Sequence, residues 1–137
     1  MPKTEPTIQK FMSYLPQSID SEKLLAEAQR LMSDHKIRHL PVMKNGKIFG
    51  ILSERDIKTA VGLVGADPLK LKAGDVCHAD PYRVEPATPL HEVTDAMAEH
   101  HYGCALIVQN EKLVGIFTTV DACKAISEIL QQRFHSH

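Results

Sequence analysis

Tryptophan is absent, and the only aromatic residues are four Phe and three Tyr among 137 positions. That is too few rings for a platform on which single-stranded bases could stack. Neither sign of charge dominates: sixteen Lys and Arg face seventeen Asp and Glu, for a formal net charge of −1. Bulk electrostatics therefore steers the chain neither to nucleic acid nor to an anionic membrane. No apolar run has the length of a bilayer span, and Met1 to Thr7 lacks an apolar signal-peptide core, so a cytoplasmic location is expected. Cys77, Cys104 and Cys123 form no CxxC pair and, being three, cannot all pair within one chain. They read as small buried hydrophobes in a reducing compartment.

Catalytic signatures are missing as well. No Gly-x-Ser-x-Gly elbow, Walker loop or paired acid and base is placed by motif, so the chain is not read as an enzyme. Cys77, His78, His91, His100 and His101 crowd the second half, but no HxxxH or CxxC-plus-His spacing appears, so no metal is expected. His35 and His100 read as polar residues suited to helix C-termini.

What remains is an ordinary globular composition of one domain, or of two halves that must share a core. Ile8, Phe11 and Met12 form an apolar patch in a lead-in, residues 1–15, that predicts a turn of helix docked on the next part of the chain. A short strand at Gln17-Ser18-Ile19 precedes a helix capped by Asp20 or Ser21, with Leu24, Leu25, Ala28, Leu31 and Met32 on its core face. Two β-like runs, His39–Met43 and Lys47–Leu52, flank Asn45-Gly46, the strongest short hairpin signal. Pro41 lacks an N–H, which predicts an edge position for its strand. Ser53 ends the second run and can cap a helix beginning at Glu54. After a connecting segment the programme repeats: a turn at Asp75-Val76, a strand at Tyr82–Val84, Thr88 as cap with Pro89 opening a helix over Leu90, Val93 and Met97, a hairpin around Asn110, and a closing helix from Val120 to Gln131. The tail from Phe134 to His137 is expected to fray.

The repetition is countable. A gapless shift of sixty-five residues aligns 16–61 with 81–126, with eleven of forty-six positions identical. These include Pro16/Pro81, Leu25/Leu90, Asn45/Asn110, Gly50/Gly115 and Asp56/Asp121. Gly50-Ile51-Leu52-Ser53-Glu54-Arg55-Asp56 returns as Gly115-Ile116-Phe117-Thr118-Thr119-Val120-Asp121. A duplicated unit that cannot bury its own sheet face does so against its copy.

Each half, in this order of elements and with the closing Gly-hydrophobic-hydrophobic-Ser/Thr-x-x-Asp, resembles a cystathionine-β-synthase (CBS) domain. Ile37-Arg38-His39-Leu40-Pro41-Val42 and Gly50 to Ile57 carry the likeness most closely. The resemblance implies an α+β fold of two β-α-β-β-α repeats related by a pseudo-twofold axis, with sheets packed together and helices outside. The expected boundaries are repeat 1 at 16–66, a linker and entry turn at 67–80, and repeat 2 at 81–132. It also implies clefts between the repeats for an adenosine nucleotide, AMP, ADP or ATP; S-adenosylmethionine, NAD or a metal ion is the less frequent ligand. Members commonly regulate an attached protein and often associate as homodimers. With nothing attached here, an effector protein, of unknown identity, is expected in trans, and Ile126, Ile129 and Leu130 mark an apolar helix face for dimerisation.

Residue chemistry supports a nucleotide site. A Ser or Thr at a strand-to-helix junction stands beside amides suited to phosphate. An Asp one turn on faces the same side, and its carboxylate can accept from both ribose hydroxyls. The competing explanation is structural, the hydroxyl capping the helix and the carboxylate favouring its positive end. The glycines leave room for a ligand or for a packed neighbour. The candidate ligand contacts are Ser53, Arg55, Asp56, Arg38, His39 and Ile19 in the first half and Thr118, Asp121, Val84 and Ala105 in the second. In the family, backbone at Gln17 to Ile19 and Tyr82 to Val84 would hold adenine, with Leu40 and Ala105 as walls and Tyr82 available to stack. Positions 38, 39 and 55 are basic, whereas their aligned partners are Gly103, Cys104 and Val120. The first site is therefore expected to be the stronger. An interaction module free of any ligand is the alternative.

Overall fold

The computed structural model describes residues 4–14, 16–63 and 65–135. Fourteen elements succeed one another: α1 (Ile8–Phe11), β1 (Ser13–Tyr14), β2 (Ile19–Asp20), α2 (Leu25–His35), β3 (His39–Lys44), β4 (Lys47–Ser53), α3 (Glu54–Leu63), α4 (Ala73–Val76), β5 (His78–Ala79), β6 (Arg83–Val84), α5 (Leu90–His100), β7 (Cys104–Gln109), β8 (Lys112–Thr118) and α6 (Thr119–Phe134). The chain divides into two compact units. Gln17–Pro81 is contiguous, whereas the other joins Met1–Pro16 to Tyr82–His137. The expected fraying at Phe134 is not seen, since α6 runs through it; Ser136 and His137 lie outside the described residues.

The contiguous unit holds a sheet in the order β2-β3-β4-β5, and the split unit holds its counterpart, β1-β8-β7-β6. Both hairpins turn through two residues of positive φ, Asn45 (54°) with Gly46 (76°) and Asn110 (51°) with Glu111 (64°), the turn geometry that suits the twist of paired strands. Both also carry a register shift at the same aligned place, Val42/Met43 and Ile107/Val108.

The apolar faces close on themselves unit by unit. Leu25, Ala28 and Met32 of α2 pack with Ile19, Leu40, Val42, Leu52, Ile57 and Ala73, while Leu24 of the predicted stripe is exposed. In the split unit Leu90, Val93 and Met97 pack with Ala105, Ile107, Phe117, Ala125 and the fully buried Ile8. The lead-in patch thus joins a core built from residues beyond 82 rather than from the half next to it in sequence.

The predicted helix caps are displaced for one shared reason. The first amides of α2, at Leu25 and Ala26, donate to the carbonyls of Leu71 (2.9 Å) and Pro68 (3.0 Å). Those of α5, at Leu90 and His91, donate to the Pro6 carbonyl (3.0 Å) and a Glu5 carboxylate oxygen (2.9 Å). Each helix start is satisfied by a strap from the segment before α4 or α1, so no local Ser, Thr or Asp side chain is needed there. Neither Asp20 nor Ser21 caps α2, whose N-cap is Leu24, and Pro89 rather than Thr88 is the N-cap of α5.

Pro41 does not lie on a sheet edge, because β3 has β2 on one side and β4 on the other. Its effect is finer. At the aligned position Leu106 donates its N–H to the Tyr82 carbonyl (2.9 Å). Proline has no N–H to offer, and β2 accordingly joins β3 one residue later than β6 joins β7: Ile19 pairs with Val42, whereas Arg83 pairs with Leu106.

Candidate functional site

At the end of β4, Ser53 and Asp56 cap one another. The Asp56 amide donates to Ser53 Oγ (3.0 Å) and the Ser53 amide donates to Asp56 Oδ2 (3.0 Å). At the end of β8 the same exchange recurs, with the Thr118 amide on Asp121 Oδ2 (2.9 Å) and the Asp121 amide on Thr118 Oγ (3.4 Å). The structural role weighed from sequence is therefore real at both places. It also consumes part of the anion-binding potential of α3, since the Glu54 amide is taken by the Arg38 carbonyl (2.8 Å) and the Ser53 hydroxyl serves as an acceptor.

Each carboxylate has a second partner. Ser13 of β1 donates its hydroxyl to Asp121, lying 3.2 Å from Oδ1 and 3.3 Å from Oδ2. His78 of β5 places Nε2 2.9 Å from Asp56 Oδ1. Thirteen and seventy-eight differ by the repeat offset of sixty-five, so these are equivalent positions, and β1 and β5 pair equivalently on Ile116 and Ile51. Counting the repeat only from Pro16 hid this correspondence. Carrying the same offset back to Ile8 and Ala73 aligns α1 with α4 and exposes it.

The two carboxylates end in different states. Asp121 is buried and also accepts from the Thr118 hydroxyl (3.2 Å), so its oxygens are well supplied with donors. Asp56 is half-buried, and its Oδ1 faces an imidazole whose side chain is 72% exposed. The structure brings His39 to this group, because it pairs across the ladder with Ser53. Burial pushes the His39 imidazole below its ordinary value; the Asp56 charge opposes this and Arg38 adds to it. Arg38, just before β3, and Arg55, at the start of α3, are both exposed.

Of the remaining candidates, Ile19 has its side chain in the core and pairs with Val42 from β2. Val84 is half-buried on β6 and pairs with Ile107, and Ala105 is wholly buried among the core side chains of the split unit, as Leu40 is in the contiguous one. The Tyr82 ring stacks on Tyr102 (centroids 5.0 Å apart, 20° between planes), and Tyr102 stacks on His100 (5.1 Å, 25°). The glycines make room for packed neighbours: a Cβ on Gly50 would strike the His78 carbonyl and lie 2.9 Å from Cys77 Sγ, and one on Gly115 would strike Met12. Among the described residues no group of three or more His, Cys, Asp or Glu side chains is arranged to hold a metal ion. No helix among them is long and apolar enough to cross a membrane.

Residues 8–63 and 73–128 each match the CBS domain, and the two matches stand sixty-five residues apart. The chain belongs to the CBS family. Hypoxic response protein 1 of Mycobacterium tuberculosis is 27% identical over 111 residues, covering 80% of this chain and 78% of that protein. The solved structure of the protein AcuB from Vibrio cholerae superposes with a TM-score of 0.84 at 28% identity, over 98% of this chain and 99% of that one. The CBS domain pair of protein MJ0100, solved with 5′-methylthioadenosine and S-adenosyl-L-methionine, shares the fold at a TM-score of 0.83 and 21% identity, over 92% and 99% of the two chains. This chain is thus a tandem CBS pair of mixed α+β fold, with one four-stranded sheet in each compact unit.

Proposed function

We propose that this CBS pair is a regulatory module that binds an adenosine nucleotide, AMP, ADP or ATP, and signals to a partner protein in trans. The observation that carries the reading is the Asp56 carboxylate: it is fixed through Oδ2 by the Ser53 amide while Oδ1, among the described residues, meets only an exposed imidazole. A carboxylate held this way suits a ribose, and Arg38, His39 and Arg55 are the nearby sequence neighbours suited to phosphate. The Asp121 site is the weaker one, because its carboxylate is buried and engaged by Ser13 and Thr118 and lacks those basic neighbours. Binding of adenosine compounds by the MJ0100 pair supports the ligand class.

The test is a thermal-shift and calorimetric comparison with AMP, ADP, ATP, S-adenosylmethionine and NAD on the wild type, Asp56→Ala and Asp121→Ala. A ligand of the native state raises the melting temperature by mass action. Loss of the tighter site in Asp56→Ala is expected, with a smaller change in Asp121→Ala. Absence of a shift with every adenosine compound would sink the reading. A second reading, a ligand-independent dimerisation module, is favoured by α6, which leaves Val120, Ile126, Leu130 and Phe134 exposed, Ile126 lining an apolar recess with Pro6, Leu90, Ala125 and Ile129. Sedimentation of Ile126→Asp against wild type measures it: a monomeric variant from a dimeric parent supports that face.

A further inference from the structure

The ladder position at which Ser13 meets Asp121 is filled by His78 at Asp56, and the substitution changes what a ligand must do to enter. Ser13 bonds to both oxygens of a buried carboxylate. His78 contacts Oδ1 alone, from a side chain that is largely in solvent. A lone pair of partners at so exposed a place holds weakly. Asp56 does not depend on it for its position, because the Ser53 amide holds Oδ2 independently at 3.0 Å.

We propose that His78 is a specificity-determining residue of the Asp56 site: its ring N–H occupies the outward carboxylate oxygen in the free protein, and the vicinal hydroxyls of a ribose displace it. A donor is exchanged for donors, and the charge and position of Asp56 are unchanged. Ligands without the diol leave the imidazole in place and gain nothing from the carboxylate. The competition is peculiar to this half of the chain, since the aligned Ser13 is one of several donors to an aspartate already buried.

This inference rests on the adenosine reading of the same site, and calorimetry with two probes separates the two. AMP and its 2′,3′-dideoxy analogue are titrated into wild type, His78→Ala and Asp56→Ala. Removing the competitor should tighten AMP at the Asp56-dependent site about two- to five-fold, the span that one exposed pair provides, and should leave the dideoxy analogue unchanged. Equal tightening of both ligands would show a steric gate, and unaltered or weaker AMP binding would show no competition; either overturns the proposal. If AMP binds none of the three proteins, ADP and ATP with their dideoxy analogues take its place, and failure of all three nucleotides overturns the adenosine reading and this inference together, a result distinct from the others. As a second readout, the ¹⁵N ring resonances of His78 in wild type should move on addition of AMP and stay in place with the dideoxy analogue.

Discussion

Glu111 holds the left-handed conformation (φ 64°) that Gly46 holds (φ 76°) at the equivalent turn of the first hairpin. A residue with a Cβ is strained there, whereas glycine is not. Glu111→Gly is therefore expected to raise stability by about 0.5–1 kcal/mol, read as a shifted urea midpoint at constant m-value. Gly46→Ala should move the midpoint the opposite way. A Glu111→Gly protein no more stable than wild type would refute the strain.

The two aligned glycines of the strands should tolerate alanine unequally. At Gly50 the new methyl meets the backbone carbonyl of His78, which cannot step aside, and at Gly115 it meets the flexible end of Met12. Gly50→Ala should cost about 2–3 kcal/mol and Gly115→Ala about 1 kcal/mol less. Chemical denaturation of both variants checks the order, which must not reverse.

Thiol labelling should sort the cysteines. Burial pushes the Cys104 thiol up to about 12, and burial also raises Cys77, which is half-buried. Cys123 is exposed, contrary to its reading as a buried hydrophobe. Under native conditions a disulfide reagent should modify Cys123 first and Cys77 more slowly, while Cys104 reacts only on unfolding. Peptide mapping of the modified protein supplies the order, and rapid native labelling at Cys104 would contradict its place in the structure.

The Glu5–His91 contact predicts a pH window. Its Nδ1–Oε1 distance is 2.6 Å, and the Glu5 carboxylate raises the His91 imidazole above its ordinary value, with Asp95 and Glu92 adding and slight desolvation opposing. The His91 amide and ring in turn lower Glu5. The histidine contribution is complete below the ordinary histidine value and is lost as pH rises through the raised folded value. The glutamate contribution is present above the ordinary carboxylate value and is lost as pH falls through the lowered one. In Glu5→Gln the NMR titration midpoint of His91 should fall, and an unchanged midpoint would show that Glu5 is not the cause.

The hairpins, the helices and the duplication were legible because their signals are local or periodic: Asn45-Gly46, the Leu90, Val93, Met97 spacing, and the recurrence of Asp56 as Asp121. The straps were not. Acceptors such as the Pro68 and Leu71 carbonyls carry no side-chain signature, so their service to α2 could not be read from residue type. At the candidate site the reciprocal Ser53/Asp56 cap was readable from spacing. His78 was visible only as one of several histidines until the offset was extended back to Ser13. Leu40 and Ala105 were expected as walls of a site from the family resemblance, and both side chains lie in the cores of their units.

The contact of Ser13 with Asp121 closes over 108 residues, and Ile8 packs in the same unit as Phe117 and Ala125. The Asp56 unit draws only on Gln17–Pro81. On a ribosome the two units are therefore not completed in the order in which they are begun. The unit bearing Asp56 has all its parts while most of the other is still unsynthesised, and α1, the first helix made, waits for the last core residues to arrive.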